Sequence, residues 1–424
     1  MEDVTQVERW RPVLEGDLAA RALAAARDIG GAVAEGFERS DPSPATGDAS
    51  LSRGWTGTAV TMHYLDRAFP DGGFGEVGAA ALDRAVEAVA EQPMNAGLMQ
   101  GFPGVAWAVE HLAESSEVED ATSAIDEALL GMTAAFDGLY DLVGGLVGVG
   151  VYALERLPAP AGRKLLELVV DALAGSAEDA APGLTWYTKP ELIPPSARDR
   201  VPEGYYNLGV AHGVPGVVGL LAHAHLAGVA REATARLLEG SVTWLLAQTL
   251  PSGGRATWPY FVGPGIDPHP ARLAWCYGDP GVITVLLTAA AAFDRAGWER
   301  AALMALDRAA ARPPGDSDVQ GVSLCHGAMG LAHLWTRLWQ RHPTPALRRS
   351  IEFWTTATLD RRVHPEGFAG YSVWDPERDD EGGDVQGPGL LAGVSGVALA
   401  LVAAATHDEP AWDRHMLLSG PGET

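Results

Sequence analysis

Two kinds of apolar pattern alternate along the chain. The first is amphipathic at helical period with charged residues along one face, as in residues 18–37 (LAARALAAARDIGGAVAEGF), 163–176 (RKLLELVVDALAGS) and 345–359 (PALRRSIEFWTTATL). Residues 81–92, 121–136, 233–250 and 299–311 read the same way. The second kind is apolar nearly all round and follows a Gly-x-x-Gly: GWTGTAVTMHYL from Gly54, GFPGVAWAVEHL from Gly101, GLVGVGVYALERL from Gly145 and GVPGVVGLLAHAHL from Gly213. GDPGVITVLLTAA from Gly278, GAMGLAHLWTRL from Gly327 and GVSGVALALVAAA from Gly393 complete the set. A helix with one charged face lies at a surface, whereas one without it packs against neighbours on every side.

Seven of each kind in alternation predict an all-α fold, a closed α/α toroid of seven inner and seven outer helices. It is expected as a single domain over residues 1–424, with the seven repeats within about 50–405. Gly-x-x-Gly alone is a weak pattern, but seven copies with matched apolar tails are not chance. Each is expected to mark the N-terminus of an inner helix, where glycine permits positive φ in the incoming loop and close backbone approach near a crowded axis. The Pro- and Gly-rich stretches 189–206 and 375–389 are predicted to be long surface loops over one face, because the repeat resumes in register after each.

Composition narrows the function. With 47% hydrophobic residues the chain has ample material for a core, and disorder is excluded. The 30 basic against 55 acidic residues give a net charge of −25, which argues against a nucleic-acid partner and leaves a basic peptide open. The start MEDVTQVERWRPVLEGD is acidic where a signal peptide needs a basic n-region, so a cytoplasmic protein is expected. Residues 387–406 are uncharged and long enough to span a membrane. Their Pro, their glycines and their place in the repeat predict a buried helix, not an integral membrane protein.

The chain has two cysteines, and both fall two positions before the first glycine of a repeat: Cys276 before Gly278 and Cys325 before Gly327. His326 and His212 each fall one position before theirs. In a toroid, equivalent positions of successive repeats converge on one ring. Two thiolates and an imidazole form a soft nitrogen-and-sulfur ligand set of the kind zinc takes. Three protein ligands leave one position open, the pattern of a catalytic site; a pair of buried cysteines with a capping histidine is the plainer alternative. His223, His225 and His333 lie inside inner-helix runs and are expected to be packed or hydrogen-bonded in the wall. Trp275 and Tyr277 either shape a pocket or simply pack.

The stretches RLAWCYGDPG, SLCHGAMG, YNLGVAHGVPG and YDLVGGLVGVG resemble the motifs of the lanthipeptide cyclase family, the lanthionine synthetase C-like proteins, over about residues 50–405. The resemblance implies an α-toroid in which Cys276, Cys325 and His326 bind zinc, His212 and Asp141 serve in proton transfer, and Arg272 and Tyr277 lie beside the metal. It implies a dehydrated precursor peptide as substrate, with a dehydratase and a transporter as partners in a biosynthetic complex. Addition of a thiolate to a dehydroalanine or dehydrobutyrine puts negative charge on the amide oxygen. Arg272 is the candidate to meet that charge, His212 to supply the proton at carbon, and Asp141 to orient His212. Asp141 at a helix start is otherwise read as an N-cap, and Arg272 as a surface residue. Three alternatives stay open: an enzyme of the same family that adds glutathione to dehydrated residues, a non-catalytic zinc-stabilised peptide-binding scaffold, and a zinc-dependent prenyltransferase. The Cys-Tyr-Gly and Cys-His-Gly motifs argue against the last.

Overall fold

The computed structural model of the chain describes residues 10–113, 122–193, 198, 201–251, 254–374 and 383–420. Within them helices run in the order α1 (Gly16–Arg39), α2 (Trp55–Ala68), α3 (Phe74–Glu91), α4 (Phe102–Leu112), α5 (Ser123–Ala134), α6 (Leu146–Glu155) and α7 (Pro160–Ser176). They continue as α8 (Val214–Leu226), α9 (Arg231–Ala247), α10 (Asp279–Phe293), α11 (Ala296–Ala310), α12 (Ala328–Arg341), α13 (Pro345–Asp360) and α14 (Val394–Ala405). The odd-numbered helices are the amphipathic segments and the even-numbered ones the all-apolar segments. In α1 the buried residues Ala22, Ala25, Ala26, Ile29, Val33 and Phe37 recur at helical spacing, so one stripe faces inward. In α14, by contrast, every residue from Val394 to Ala404 is buried.

The even helices pack on one another in sequence, α2 on α4, α4 on α6, and so on through α12 on α14, and α14 returns to α2. The fold is an α/α toroid. Each inner helix pairs with the outer helix that follows it, and the seventh pair joins the two ends of the chain, because α1 packs chiefly on α14. Main-chain hydrogen bonds seal that junction: the Val13 and Leu14 amides donate to the Ala404 carbonyl, and the Trp10 indole N–H donates to Ala403. The uncharged stretch 387–406 therefore yields a buried helix of 12 residues, and no helix among the described residues is long and apolar enough to cross a membrane.

Little β-structure accompanies the helices. β1 (Glu178–Ala180) pairs with β2 (Gly183–Thr185), and β3 (Tyr206–Asn207) with β4 (Phe261–Val262), both antiparallel. Of the two predicted surface loops, 194–197, 199–200 and 375–382 lie outside the described residues. The first loop ends in β3, which leads directly into the segment before α8.

Candidate functional site

The glycine motifs account for the geometry of one end of the toroid. The first glycine of each motif is the N-cap of its inner helix, at Gly54, Gly101, Gly145, Gly213, Gly278, Gly327 and Gly393. The expectation of positive φ holds only at Gly278, with φ of 124°; the other six are extended. Close approach is the common reason for glycine. At the second position (Gly57, Gly104, Gly148, Gly216, Gly281, Gly330 and Gly396) a Cβ would overlap the carbonyl oxygen of the residue six positions earlier in every repeat. The incoming loop thus folds flat against the first turn of its own helix, and a side chain there would push it away.

Flattened in this way, the seven loops bond to one another. The Ser52 amide donates to Met99 O at 3.0 Å, Met99 N to Val143 O at 3.2 Å, Leu142 N to Ala211 O at 3.2 Å and Ala211 N to Cys276 O at 3.4 Å. Cys325 N donates to Leu391 O at 2.9 Å, and Leu391 N back to Ser52 O at 3.0 Å. These are the residues two before each first glycine, with Leu142 one position displaced, so the phase read from the sequence is a physical ring whose main-chain bonds run from Cys325 round to Cys276. We call it the upper ring; Cys276 and Cys325 occupy adjacent places in it.

The ligand atoms of Cys276, Cys325 and His326 all lie within 4.8 Å of one another. The two thiols act on each other: the hydrogen bond from Cys325 holds the Cys276 thiol well below its ordinary range against the opposing effect of burial, with His326 and Arg272 acting in the same direction. The same bond, together with burial, pushes Cys325 well above its range. Such a pair suits a cation that takes the place of thiol protons. The N-termini of α10 and α12 add their positive dipole ends to the same place.

His212 occupies the neighbouring repeat. Its Nδ1 donates to Asp141 Oδ2 at 2.6 Å, with the His212 side chain 41% exposed and Asp141 only 6%. The carboxylate is therefore buried behind an imidazole that is itself partly exposed. Burial alone would lower the His212 pKa, but the Asp141 hydrogen bond and charge, and the Cys276 thiolate, outweigh it and raise it. Asp141 also accepts from the Gly144 amide at 2.8 Å, a turn in the loop before α6; the N-cap is Gly145, without a side-chain cap, so Asp141 is not the helix cap that its position in the sequence suggested. Arg272 is no free surface residue: its main-chain N and its Nε both donate to the Tyr260 hydroxyl at 3.2 Å. Burial lowers its pKa, but Tyr260 and both cysteines raise it further, so the guanidinium stays charged beside the thiols. The Tyr277 hydroxyl accepts from Asn207 Nδ2 at 3.0 Å, and burial keeps that phenol neutral.

The sequence profile of the family described as "Lanthionine synthetase C-like protein" matches residues 45–417. The chain belongs to this family. It is 26% identical over 271 residues to "Nisin biosynthesis protein NisC" of Lactococcus lactis subsp. lactis, an alignment covering 62% of this chain and 60% of that protein. The chain thus spans about 60% of the length of this curated relative. The solved structure "Nisin cyclase" superposes with a TM-score of 0.73 at 21% identity, covering 92% of this chain and 97% of that one.

In this lanthionine synthetase C-like chain the structure brings all seven candidates to one end: Asp141, His212, Arg272, Cys276, Tyr277, Cys325 and His326. It adds two that sequence reasoning passed over. Asn207 is fully buried and fixes Tyr277, while its Oδ1 accepts from the Gly209 amide at 2.9 Å. A signal existed, because Asp48 and Asn95 sit at the same place, six before their glycines, and make the same turn. Tyr260, which holds Arg272, lies in the irregular segment before β4 and carries no phase to betray it. His223, His225 and His333 are buried in the wall, with His225 bonded to Thr234 at 2.9 Å and His333 to Asp413 at 2.7 Å.

Proposed function

We propose that the chain is a zinc-dependent peptide cyclase, one toroidal domain that adds cysteine thiols of a dehydrated precursor peptide to dehydroalanine or dehydrobutyrine, forming lanthionine and methyllanthionine rings. The observation that carries this reading is the pairing, on adjacent repeats of one ring, of a Cys-Cys-His ligand set with a buried-carboxylate, exposed-imidazole pair. Family membership supports the same reaction class.

Cys276, Cys325 and His326 would hold the zinc, whose preference for thiolate and imidazole matches the donor set. When bound it supplies a Lewis acid that keeps an incoming thiol deprotonated at neutral pH. In the addition, the peptide thiolate sulfur bonds to the β-carbon of the dehydro residue as the carbon–carbon double bond opens and the electron pair moves onto the amide oxygen. Arg272, fixed by Tyr260, offers a permanent positive charge for that oxygen. His212, whose pKa the Asp141 bond raises, returns a proton to the α-carbon. One proton leaves sulfur and one arrives at carbon, so the product has the mass of the substrate. Tyr277 and Tyr260 lie beside each other, with ring centroids 5.5 Å apart.

The substrate's dehydro residues require a preceding dehydration of Ser and Thr, so the reading places a dehydratase upstream in the cytoplasm and a transporter downstream. Incubation with a dehydrated cysteine peptide, then thiol blocking and mass spectrometry, tests the reaction. Ring closure removes blockable thiols, and an unchanged thiol count overturns the proposal.

A further inference from the structure

The toroid is closed by α14 meeting α2 and α1, yet the chain turns inward again from Trp412. Trp412, Asp413, His415, Met416, Leu417 and Leu418 are each at most 2% exposed. Residues Ala411–Met416 form a 3-10 helix. Its polar groups are tied to the far end of the inner helices, ten positions after each first glycine. There Arg337 Nε and Nη2 fork onto Asp413 at 2.8 and 2.9 Å, and Nη1 reaches Glu409 at 2.8 Å. Arg414 Nη1 reaches Glu155 at 3.0 Å. On the helices' own side, Gly219 leaves the space that Leu417 enters.

Ser419 returns to the same end, bonding Arg337 at 3.2 Å and Asp413 at 2.8 Å, and between these two ties the segment is met from the upper ring. Three positions before each first glycine the chain has Leu51, Leu98, Leu142, Val210, Trp275, Leu324 and Leu390, all buried. Six are aliphatic and can only pack. The seventh, Trp275, directly precedes Cys276, and its indole N–H donates to the Met416 carbonyl at 3.0 Å. Burying Asp413 with Arg337 and His333 gains little stability over apolar packing, but it fixes direction and register.

We infer that residues 411–418 are a strut that sets the position of Cys276, with Trp275 as the positioning residue that joins the strut to the ring. The C-terminal segment thereby helps to build the ligand set although none of its residues belongs to it. Only the zinc arm of the test below rests on the proposed function.

Trp275→Phe keeps an aromatic ring in place and removes the donor. In a full-length Cys325→Ala background Cys276 is the sole cysteine, and an aromatic disulfide reagent reports its exposure without any metal. Losing one buried hydrogen bond should raise its labelling rate roughly 5- to 10-fold, with far-UV dichroism unchanged. Zinc should leave the Trp275→Phe enzyme for a chelator faster by a similar factor. Leu166→Ala, which hollows the core beneath α7 far from the strut, should alter neither rate. Wild-type labelling in Trp275→Phe overturns the strut, as does equal acceleration by Leu166→Ala. Should Trp275→Phe not fold, Arg337→Lys loosens the far end instead and is held to the same two rates. A wild-type protein without zinc would sink the metal reading alone, since the labelling arm is independent of it.

Discussion

The two ends of the toroid use the same seven inner helices and differ in where their polar groups find partners. At the lower end, ten positions into the repeats, stand Tyr64, His111, Glu155 and Arg337. Tyr64 Oη and His111 Nε2 lie 2.9 Å apart, as do His111 Nδ1 and Glu155 Oε1, and Arg414 completes the chain. On residue types alone this carboxylate, imidazole and hydroxyl series reads as a catalytic relay at least as well as Asp141 and His212 do. Its side chains, however, are buried and satisfied by one another and by the protein's own C-terminal segment. At the upper end Asp141 is buried but His212 is not, and the Cys-Cys-His set lies on the same ring. A cluster of titratable groups becomes a reaction site when one member keeps its outward valence free; closed on itself, the same chemistry holds the fold.

Substitutions at the upper end should therefore remove activity and spare the fold. The largest effect is expected for Cys276→Ala, which should abolish both zinc retention and ring closure while the helical far-UV signal persists. Loss of the helical signal would mean that the ring is structural. His212→Asn should keep the metal and slow cyclisation by roughly 10²- to 10⁴-fold, the usual range for a lost general acid or base. Counting blockable thiols over time checks this, and a wild-type rate would remove His212 from the mechanism.

The lower end should titrate with stability instead. Burial lowers the pKa of His415 from 6.5 to about 4, only partly offset by its bond to the Trp412 carbonyl. The unfolded chain takes up a proton there before the folded one does. The contribution is present above pH 6.5 and is lost as pH falls toward 4, by about 3 kcal/mol. Urea unfolding across that window measures it, and His415→Phe should flatten the slope. The upper end has the opposite sign: His212 is raised, so proton delivery persists at low pH and fails as pH rises through its pKa. Asp141→Asn should move that basic limb of the rate profile to lower pH, the smallest of these effects. An unmoved limb would separate Asp141 from the proton donor.

Much of this was legible in the sequence because a repeat turns chain position into spatial position. The helices appear through their 3.6-residue period, and the ligand set through its constant offset from glycine. What could not be read depends on contacts without a period. Tyr260 meets Arg272 only after the segment before β4 folds over the ring. The stretch HDEPAWDRHMLLSG after α14 has neither helical alternation nor a glycine motif, and its partners Arg337, Glu155 and Trp275 lie 70 or more residues away. The glycines were read correctly in place, and of the two causes read for them close approach holds throughout while a left-handed backbone holds only at Gly278.

The central claim is that the upper ring holds a zinc ion required for thioether formation. The direct measurement is elemental analysis of protein purified without added metal, paired with cyclisation of a dehydrated peptide before and after chelation. We expect one zinc per chain, loss of ring closure when it is stripped, and recovery when zinc is restored. A metal-free preparation that closes rings at the full rate would contradict the account.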